Sequence, residues 1–311
     1  MRGAAAWLLS DEQEEAAPTP TLPGLDADPA VTAAQWSSLE VDAKTLVALL
    51  GEPHDSLRWA VRKRLARNAD LDVAARRIAW VKLLNSGQTC IAPDYVLCPK
   101  AKVDELVAAF EREVRERYPS LAQSPDYTSI ASDRQYARLQ GLLSEAEAAG
   151  ARVLRLNPAQ ETLSPQSRVL EPTLVLGTRA DMRVMREEIF GPILPILPYE
   201  HLDEAIAYVN AHDRPLALYH FDLDSQRVEQ VLDRTIAGGV TINDCVLHIA
   251  QSALPFGGIG PSGIGHYHGH HGFLTFSKQK PVFYQARWSS FSLFKPPYKK
   301  FADRLIAFLT R

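Results

Sequence analysis

The chain has 311 residues, 46% of them hydrophobic and 23% charged, which is the composition of an ordinary globular protein with a sizeable core. A net charge of −3 argues against a nucleic-acid-binding surface, and no apolar run approaches the length of a membrane span. Three widely spaced cysteines (Cys90, Cys98 and Cys245) argue against a disulfide framework, so we expect a reducing compartment and a cytoplasmic protein.

The first 67 residues contain no recognised motif. Residues 1–30 are rich in Ala, Pro and acidic side chains, which is typical of a linker or arm, and residues 31–65 predict short helices. We expect three regions: this arm over residues 1–67, an α/β domain over residues 68–250, and a Gly/His-rich loop followed by a tail over residues 251–311.

Helical and strand patterns alternate after this arm. A helix is predicted from Asp70 to about Asn85, because apolar residues recur at three- and four-residue spacing. Further helices are predicted over residues 103–118, 133–149, 201–210, 226–237 and 301–309, and strands over residues 95–98, 152–154, 172–176, 193–197, 217–221 and 239–243. This alternation indicates a mainly parallel sheet covered by helices on both faces.

One cysteine lies in a distinctive loop. Residues 85–90 read Asn-Ser-Gly-Gln-Thr-Cys, between a helical stretch and an apolar one. A catalytic thiol must be accessible and close to amide donors that favour its ionised form, and a glycine-containing loop offers both. A lone cysteine is more often buried and inert; the surrounding pattern favours a nucleophile at Cys90.

Two further blocks combine acidic, aromatic and glycine residues. Residues 187–192 read Glu-Glu-Ile-Phe-Gly-Pro, which alone could be a surface acidic pair before a strand. Residues 255–263 contain too many glycines for a helix or strand, and they lack the Lys-Ser/Thr pair of a phosphate loop. For this block, structural turns are favoured over direct catalysis.

The last sixty residues raise two other hypotheses. His266, His268, His270 and His271 could suggest a metal site, but cysteine or carboxylate partners at useful spacing are absent, so we expect none. Residues 295–309 are basic and then amphipathic. A helix packed on its own domain is favoured there over a membrane-touching or substrate-gating segment.

Together these blocks resemble the aldehyde dehydrogenase superfamily over about residues 68–311. The stretch Gln-Thr-Cys-Ile-Ala-Pro-Asp-Tyr at residues 88–95 is similar to the branch that acts on fatty and aromatic aldehydes. Residues 181–185, 243–245 and 266–269 are most similar to coniferyl aldehyde dehydrogenases. The resemblance implies the α/β catalytic domain of that family, a mainly parallel sheet covered by helices.

The resemblance also implies roles for particular residues. Cys90 would attack the aldehyde carbonyl and carry a thioester, with its own backbone N–H as a donor to the oxyanion. Glu188 would accept hydrogen bonds from the nicotinamide ribose, and Phe190 would position the nicotinamide. The cofactor would be NAD or NADP, the product a carboxylic acid, and the 255–263 block a tight loop beside the active-site tunnel.

Several segments of the family have no counterpart here. We find no Pro-Trp-Asn segment for the oxyanion hole, no Lys-Pro-Ser segment for the adenosine ribose, and no Glu-Leu-Gly-Gly-Lys segment carrying the general base. We therefore expect the Rossmann-like cofactor domain to be largely missing and the isolated chain to be impaired. A homo-oligomer or a partner supplying that domain is expected, and the alternative is a non-catalytic remnant or interaction protein.

Overall fold

The computed structural model describes residues 4–7, 71–289, 296 and 300–310. They form two compact units, residues 1–275 and residues 276–311. The first unit contains the sheet and most helices. The helices expected over residues 31–65 and the expected start of a helix at Asp70 lie outside the described residues.

Seven strands form one sheet in the described part of the first unit. Their order is β3-β4-β5-β2-β1-β6-β7, and only β3 and β4 pair antiparallel. The mainly parallel sheet expected from the sequence is confirmed. The strands are β1 (Ala4–Trp7), β2 (Pro93–Pro99), β3 (Arg152–Arg155), β4 (Thr173–Leu176), β5 (Ile193–Tyr199), β6 (Ala217–His220) and β7 (Gly239–Ile242).

Eight α-helices are seen among the described residues, and six match the predicted ones to within three residues at each end. The short helices α4 and α7 were not predicted. The helices are α1 (Leu71–Leu83), α2 (Val103–Arg117), α3 (Asp133–Ala148), α4 (Arg183–Arg186), α5 (Leu202–Asn210), α6 (Ser225–Arg234), α7 (Gly269–Thr275) and α8 (Lys300–Leu309).

The helices cover both faces of the sheet. Alternate side chains of β2 point to opposite faces, as the two-residue period of a strand requires. Val96 and Cys98 pack in a cluster with α1 and α2, whereas Tyr95 and Leu97 pack in a cluster with α5 and α6. All seven residues of β2 are buried, so the strand that directly follows the cysteine loop lies in the centre of the core.

Strand β1 comes from the segment for which the sequence indicated only an arm. Ala4–Trp7 pair in parallel with β2 on one side and with β6 on the other, so they complete the middle of the sheet. A run of alanines has low intrinsic strand preference. Its conformation follows from the two neighbouring strands, which offer unpaired N–H and C=O groups on both sides.

The 251–275 segment belongs to the first unit, although the sequence suggested a boundary at residue 251. Phe256 and Tyr267 exchange backbone hydrogen bonds of 2.9 Å in both directions, and Phe256 is buried in the main core. The division between the units falls after Thr275.

The central position of β1 can be tested by removing one backbone donor. Ala6→Pro should lower the free energy of unfolding by about 1–3 kcal/mol, because a proline in a central strand leaves the partner carbonyl without its ladder hydrogen bond. Ala6→Gly keeps the N–H and should cost only roughly 0.5–1 kcal/mol. Urea denaturation of both variants measures the difference, and equal small losses would place Ala6 outside the sheet.

Candidate active site

The cysteine loop begins with an abrupt change of backbone direction. After α1 the chain forms a 3₁₀ turn over Leu84–Gly87, in which Asn85, Ser86 and Gly87 all have positive φ, at 52°, 53° and 72°. Three consecutive left-handed residues are unfavourable unless the surroundings hold them. The buried Ser86 hydroxyl donates to the Thr128 carbonyl, which is one such contact.

Gln88 braces the same loop against the segment that leads into α3. Its side-chain amide nitrogen donates to the carbonyls of Asn85 and Ser129 at 3.1 and 3.2 Å. Its side-chain oxygen accepts from the Ala131 N–H at 2.8 Å. The resemblance highlighted the block containing Gln88 without a role for it, and the structure shows that this side chain joins two loops that are forty residues apart.

Cys90 lies at the corner of a tight turn and is exposed. The turn is closed by the Ala92 N–H, which donates to the Thr89 carbonyl at 2.9 Å. The N–H of a corner residue takes no part in that bond, and within the described residues no hydrogen bond of the Cys90 amide is seen. Cys98 and Cys245 are fully buried, and burial raises the pKa of the Cys245 thiol. Accessibility therefore distinguishes Cys90 from the other two thiols.

The residue after the cysteine is tied to the sheet. The buried Tyr219 hydroxyl, on β6, donates to the Ile91 carbonyl at 2.7 Å. Burial raises the pKa of Tyr219, so the hydroxyl remains a donor at neutral pH. The corner at Cys90 is thus held on one side by Gln88 and on the other by Tyr219.

The block over residues 187–192 contacts the cysteine loop directly. A Cβ on Gly87 would lie 2.3 Å from the Gly191 carbonyl oxygen and 3.0 Å from the Lys82 carbonyl oxygen. Only a glycine allows this approach. Two blocks that are about a hundred residues apart in the sequence therefore meet backbone to backbone.

The peptide groups before Phe190 are clamped from two sides. The Asp94 carboxylate accepts from the Ile189 N–H at 2.9 Å, and the Arg138 guanidinium donates to the carbonyls of Glu188 and Ile189. Phe190 then takes a left-handed conformation with φ of 52° and has 41% of its surface exposed. These hydrogen bonds hold the backbone so that the aromatic ring of Phe190 is partly exposed, whereas aromatic side chains are more often buried.

Sequence reasoning missed Asp94 and Arg138. Asp94 lies in an otherwise apolar strand, which is the one signal that could have drawn attention to it, because a buried carboxylate needs partners. Arg138 lies on a surface helix among other charged residues, and nothing in the sequence distinguishes it from them.

A buried ammonium group accompanies these carboxylates. Lys82 is 1% exposed, and its Nζ donates to the Pro93 carbonyl at 2.8 Å. Burial lowers its pKa to about 8, while the negative charges of Asp94 and Glu188 act in the opposite direction. For Glu188, which is half-buried, burial and then the nearby Asp94 raise the pKa. Lys82 is positioned to offset the negative charge of both carboxylates.

The glycine-rich block forms closed turns. A Cβ on Gly258 would lie 2.2 Å from the Ser262 carbonyl oxygen, and the Ser262 hydroxyl donates to the Ile259 carbonyl at 3.1 Å. Aromatic and imidazole rings connect this block to the site. The ring centroid of Phe256 lies 5.8 Å from that of His248, and the His248 centroid lies 6.1 Å from that of Tyr219. This arrangement fits the favoured interpretation of structural turns beside the site.

The histidines after this block contact one another and nearby aromatic rings. The His266 and His271 rings lie 5.1 Å apart, and the His268 ring stacks at 5.9 Å on Phe256. Within the described ranges, no group of three or more His, Cys, Asp or Glu side chains is arranged to hold a metal ion. Over the same residues, no helix combines the length and apolar character needed to cross a membrane.

Comparison with known proteins identifies relatives of this arrangement. The model of the aldehyde dehydrogenase family matches residues 65–282, more than half of the chain. A probable coniferyl aldehyde dehydrogenase of Pseudomonas aeruginosa is 50% identical over 75% of this chain and 48% of its own length. A coniferyl aldehyde dehydrogenase of a Pseudomonas strain is 46% identical over 79% of this chain and 51% of its own.

Solved structures show the same fold. AldH of Staphylococcus aureus, in its substrate-bound state, superposes with a TM-score of 0.64 and 39% identity, over 78% of this chain and 51% of that one. An NADP-dependent glyceraldehyde-3-phosphate dehydrogenase of Bacillus halodurans, in complex with NADP, superposes with a TM-score of 0.60 and 29% identity, over 68% of this chain and 43% of that one. The chain spans about half the length of the curated relatives it matches.

The close approach of the two loops can be tested with a matched pair of glycines. Gly87→Ala and Gly150→Ala both place a side chain at positive φ, which costs roughly 1–2 kcal/mol. Gly150 has no atom within 4 Å of a new Cβ, so only Gly87→Ala also clashes. We expect Gly87→Ala to lose about 1–3 kcal/mol of unfolding free energy beyond its control. Equal losses in urea denaturation would contradict the contact.

Proposed function

The chain belongs to the aldehyde dehydrogenase family, and we propose that Cys90 is the nucleophile with which it attacks an aldehyde carbonyl. The observation that carries this proposal is the contact of Gly87 with Gly191. It brings the loop of an exposed cysteine against the loop that presents Glu188 and Phe190. Nucleophile and nicotinamide-binding groups must lie close together for hydride transfer, and this contact is the feature that supports such an arrangement.

The first step would use only groups of this chain. The Cys90 thiolate forms a bond to the carbonyl carbon, and the carbonyl oxygen becomes the oxyanion of a thiohemiacetal. The N–H of Cys90 at the turn corner is available to stabilise that charge. The bonds that Gln88 and Tyr219 make on either side keep the turn fixed, so the donor needs little reorganisation during attack.

The contacts for the cofactor are proposed at the second loop. The Glu188 carboxylate can accept hydrogen bonds from two ribose hydroxyls. The exposed Phe190 ring offers a flat surface on which a nicotinamide ring can lie. Both side chains therefore fit the nicotinamide end of NAD or NADP. The oxidised nicotinamide supplies the acceptor for the hydride that leaves the thiohemiacetal carbon. Asp94 and Arg138 would be positioning residues, because they hold the backbone of Glu188 and Ile189.

The thioester left on Cys90 must then be hydrolysed to the carboxylic acid, for which a general base activates water. The segment that supplies this base in the family has no counterpart in the sequence. We propose an aromatic aldehyde such as coniferyl aldehyde as substrate, supported by the relatives named coniferyl aldehyde dehydrogenase. We also propose that a homo-oligomer or a partner chain supplies the cofactor-binding domain.

The nucleophile can be tested without a cofactor. With 4-nitrophenyl acetate, we expect a burst of one nitrophenolate per chain as Cys90 becomes acylated. Slow turnover should follow, because the sequence has no counterpart of the segment that carries the general base in the family. Cys90→Ala should abolish the burst. Cys98→Ala should preserve it, since Cys98 is buried. A burst that survives in Cys90→Ala would show that another group reacts and would overturn the assignment.

The whole reaction is tested by NAD-dependent oxidation of coniferyl aldehyde or benzaldehyde. For the purified chain alone we expect a Kd for NAD above about 100 µM, which corresponds to a binding free energy weaker than roughly −5.5 kcal/mol. We also expect little or no turnover. Loss of one oxyanion donor already costs about 100- to 1000-fold in rate. Turnover by the purified chain that is lost in Cys90→Ala would contradict the prediction that the isolated chain is impaired. A folded chain without the esterase burst would favour a non-catalytic interaction protein.

A further inference from the structure

A cleft with a volume of about 330 Å³ lies between α3 and the loop that joins β3 to β4. Tyr136, Gln140, Leu143 and Ser144 line it from the helix, because residues at this spacing share one helical face. The volume is at the lower end of the roughly 300–1,000 Å³ that small-molecule pockets occupy. The residues that line the cleft are not those of the candidate active site, so a ligand held here would be separate from the aldehyde and the cofactor.

Glu171 has a fixed position in the wall of the cleft. Its Oε1 accepts from the Asn157 side-chain amide at 2.9 Å, and its carbonyl accepts from the Thr173 hydroxyl at 2.8 Å. The preceding carbonyl, of Leu170, accepts from the buried Tyr127 hydroxyl at 2.7 Å. Within the part of the chain that the structure describes, no cationic side chain lies at ion-pair distance from Glu171. Its negative charge is therefore held in place without a direct ion pair.

Arg155 brings the opposite charge to the same cleft. Its Nη1 donates to the Glu147 carboxylate at 2.6 Å, so its ion pair is with Glu147 and not with Glu171. A guanidinium carries several N–H donors in a planar fork, and among the described residues this is the one hydrogen bond that Arg155 makes. The remaining donors can bind a carboxylate through two parallel hydrogen bonds.

The Tyr136 hydroxyl adds a neutral donor between these charges and the helix. It accepts from the Gln140 side-chain nitrogen at 2.8 Å, and no acceptor for its own hydrogen is seen in the described ranges. Burial and then the negative charge of Glu171 raise the pKa of Tyr136, so the hydroxyl keeps its hydrogen at neutral pH. A carboxylate in the cleft could accept this hydrogen bond as well.

We propose that this cleft binds a small zwitterion, an α-amino acid with an aliphatic side chain. The ammonium group would pair with Glu171, and the carboxylate would accept hydrogen bonds from Arg155 and Tyr136. A ligand with a single charge would leave either Glu171 or Arg155 unmatched. The aliphatic side chain would lie against the apolar part of the lining, which consists of Leu143, Leu163, Val169 and Leu170.

Saturation-transfer difference NMR on the full chain tests the proposal with three matched probes. The probes are L-leucine, 3-methylbutylamine, which lacks the carboxylate, and 4-methylpentanoate, which lacks the ammonium group. L-Leucine should bind with a millimolar Kd, and each of the other two should bind at least about fivefold more weakly, because one ion pair is lost. Absence of saturation transfer to L-leucine, or equal Kd values for the three probes, would refute the proposal.

Two substitutions assign the charges of the ligand to their partners. Glu171→Gln removes the charge and keeps an acceptor for Asn157, so it should weaken the binding of L-leucine and 3-methylbutylamine about fivefold without weakening that of 4-methylpentanoate. Arg155→Gln should weaken the binding of L-leucine and 4-methylpentanoate by a similar factor without weakening that of 3-methylbutylamine. Urea denaturation of both variants verifies that they are folded.

The matched controls are Glu116→Gln and Arg152→Gln. Glu116 is an exposed residue of α2, and Arg152 is an exposed residue of β3, the strand that also carries Arg155. Neither lines the cleft, so each control removes the same charge elsewhere in the first unit. The Kd for L-leucine should change by less than about twofold in both. A loss in either control as large as that in its partner variant would place the binding of L-leucine outside this cleft.

Discussion

The contact between Gly87 and Gly191 is the constraint on which the rest of the site depends. Two backbone segments approach so closely that a Cβ would lie 2.3 Å from a carbonyl oxygen. This approach determines where the cysteine loop lies relative to the loop of Glu188 and Phe190. Neither loop is part of an α-helix or a strand, so each depends on side-chain contacts: Ser86 and Gln88 on one side, Asp94 and Arg138 on the other.

Those contacts are connected through the start of β2. Lys82 donates to the Pro93 carbonyl, and the next residue, Asp94, accepts from the Ile189 amide. One end of the central strand therefore joins the helix before the cysteine to the loop that presents Phe190. A buried ammonium group and a buried carboxylate are unfavourable in isolation, and their proximity to each other and to backbone partners makes their burial tolerable.

The amino-acid sequence alone determined the class of fold and the bounds of most helices and strands, and it indicated the three blocks that make up the candidate site. Periodicity and turn residues are local signals, and the resemblance of blocks such as residues 85–90 is local too. The strand at Ala4–Trp7 was not predictable, because its alanines acquire their conformation from the two strands beside them. The roles of Asp94, Arg138 and Tyr219 were not predictable either. Each depends on a hydrogen bond to a residue 50 to 128 positions away, and only the tertiary structure brings such residues together.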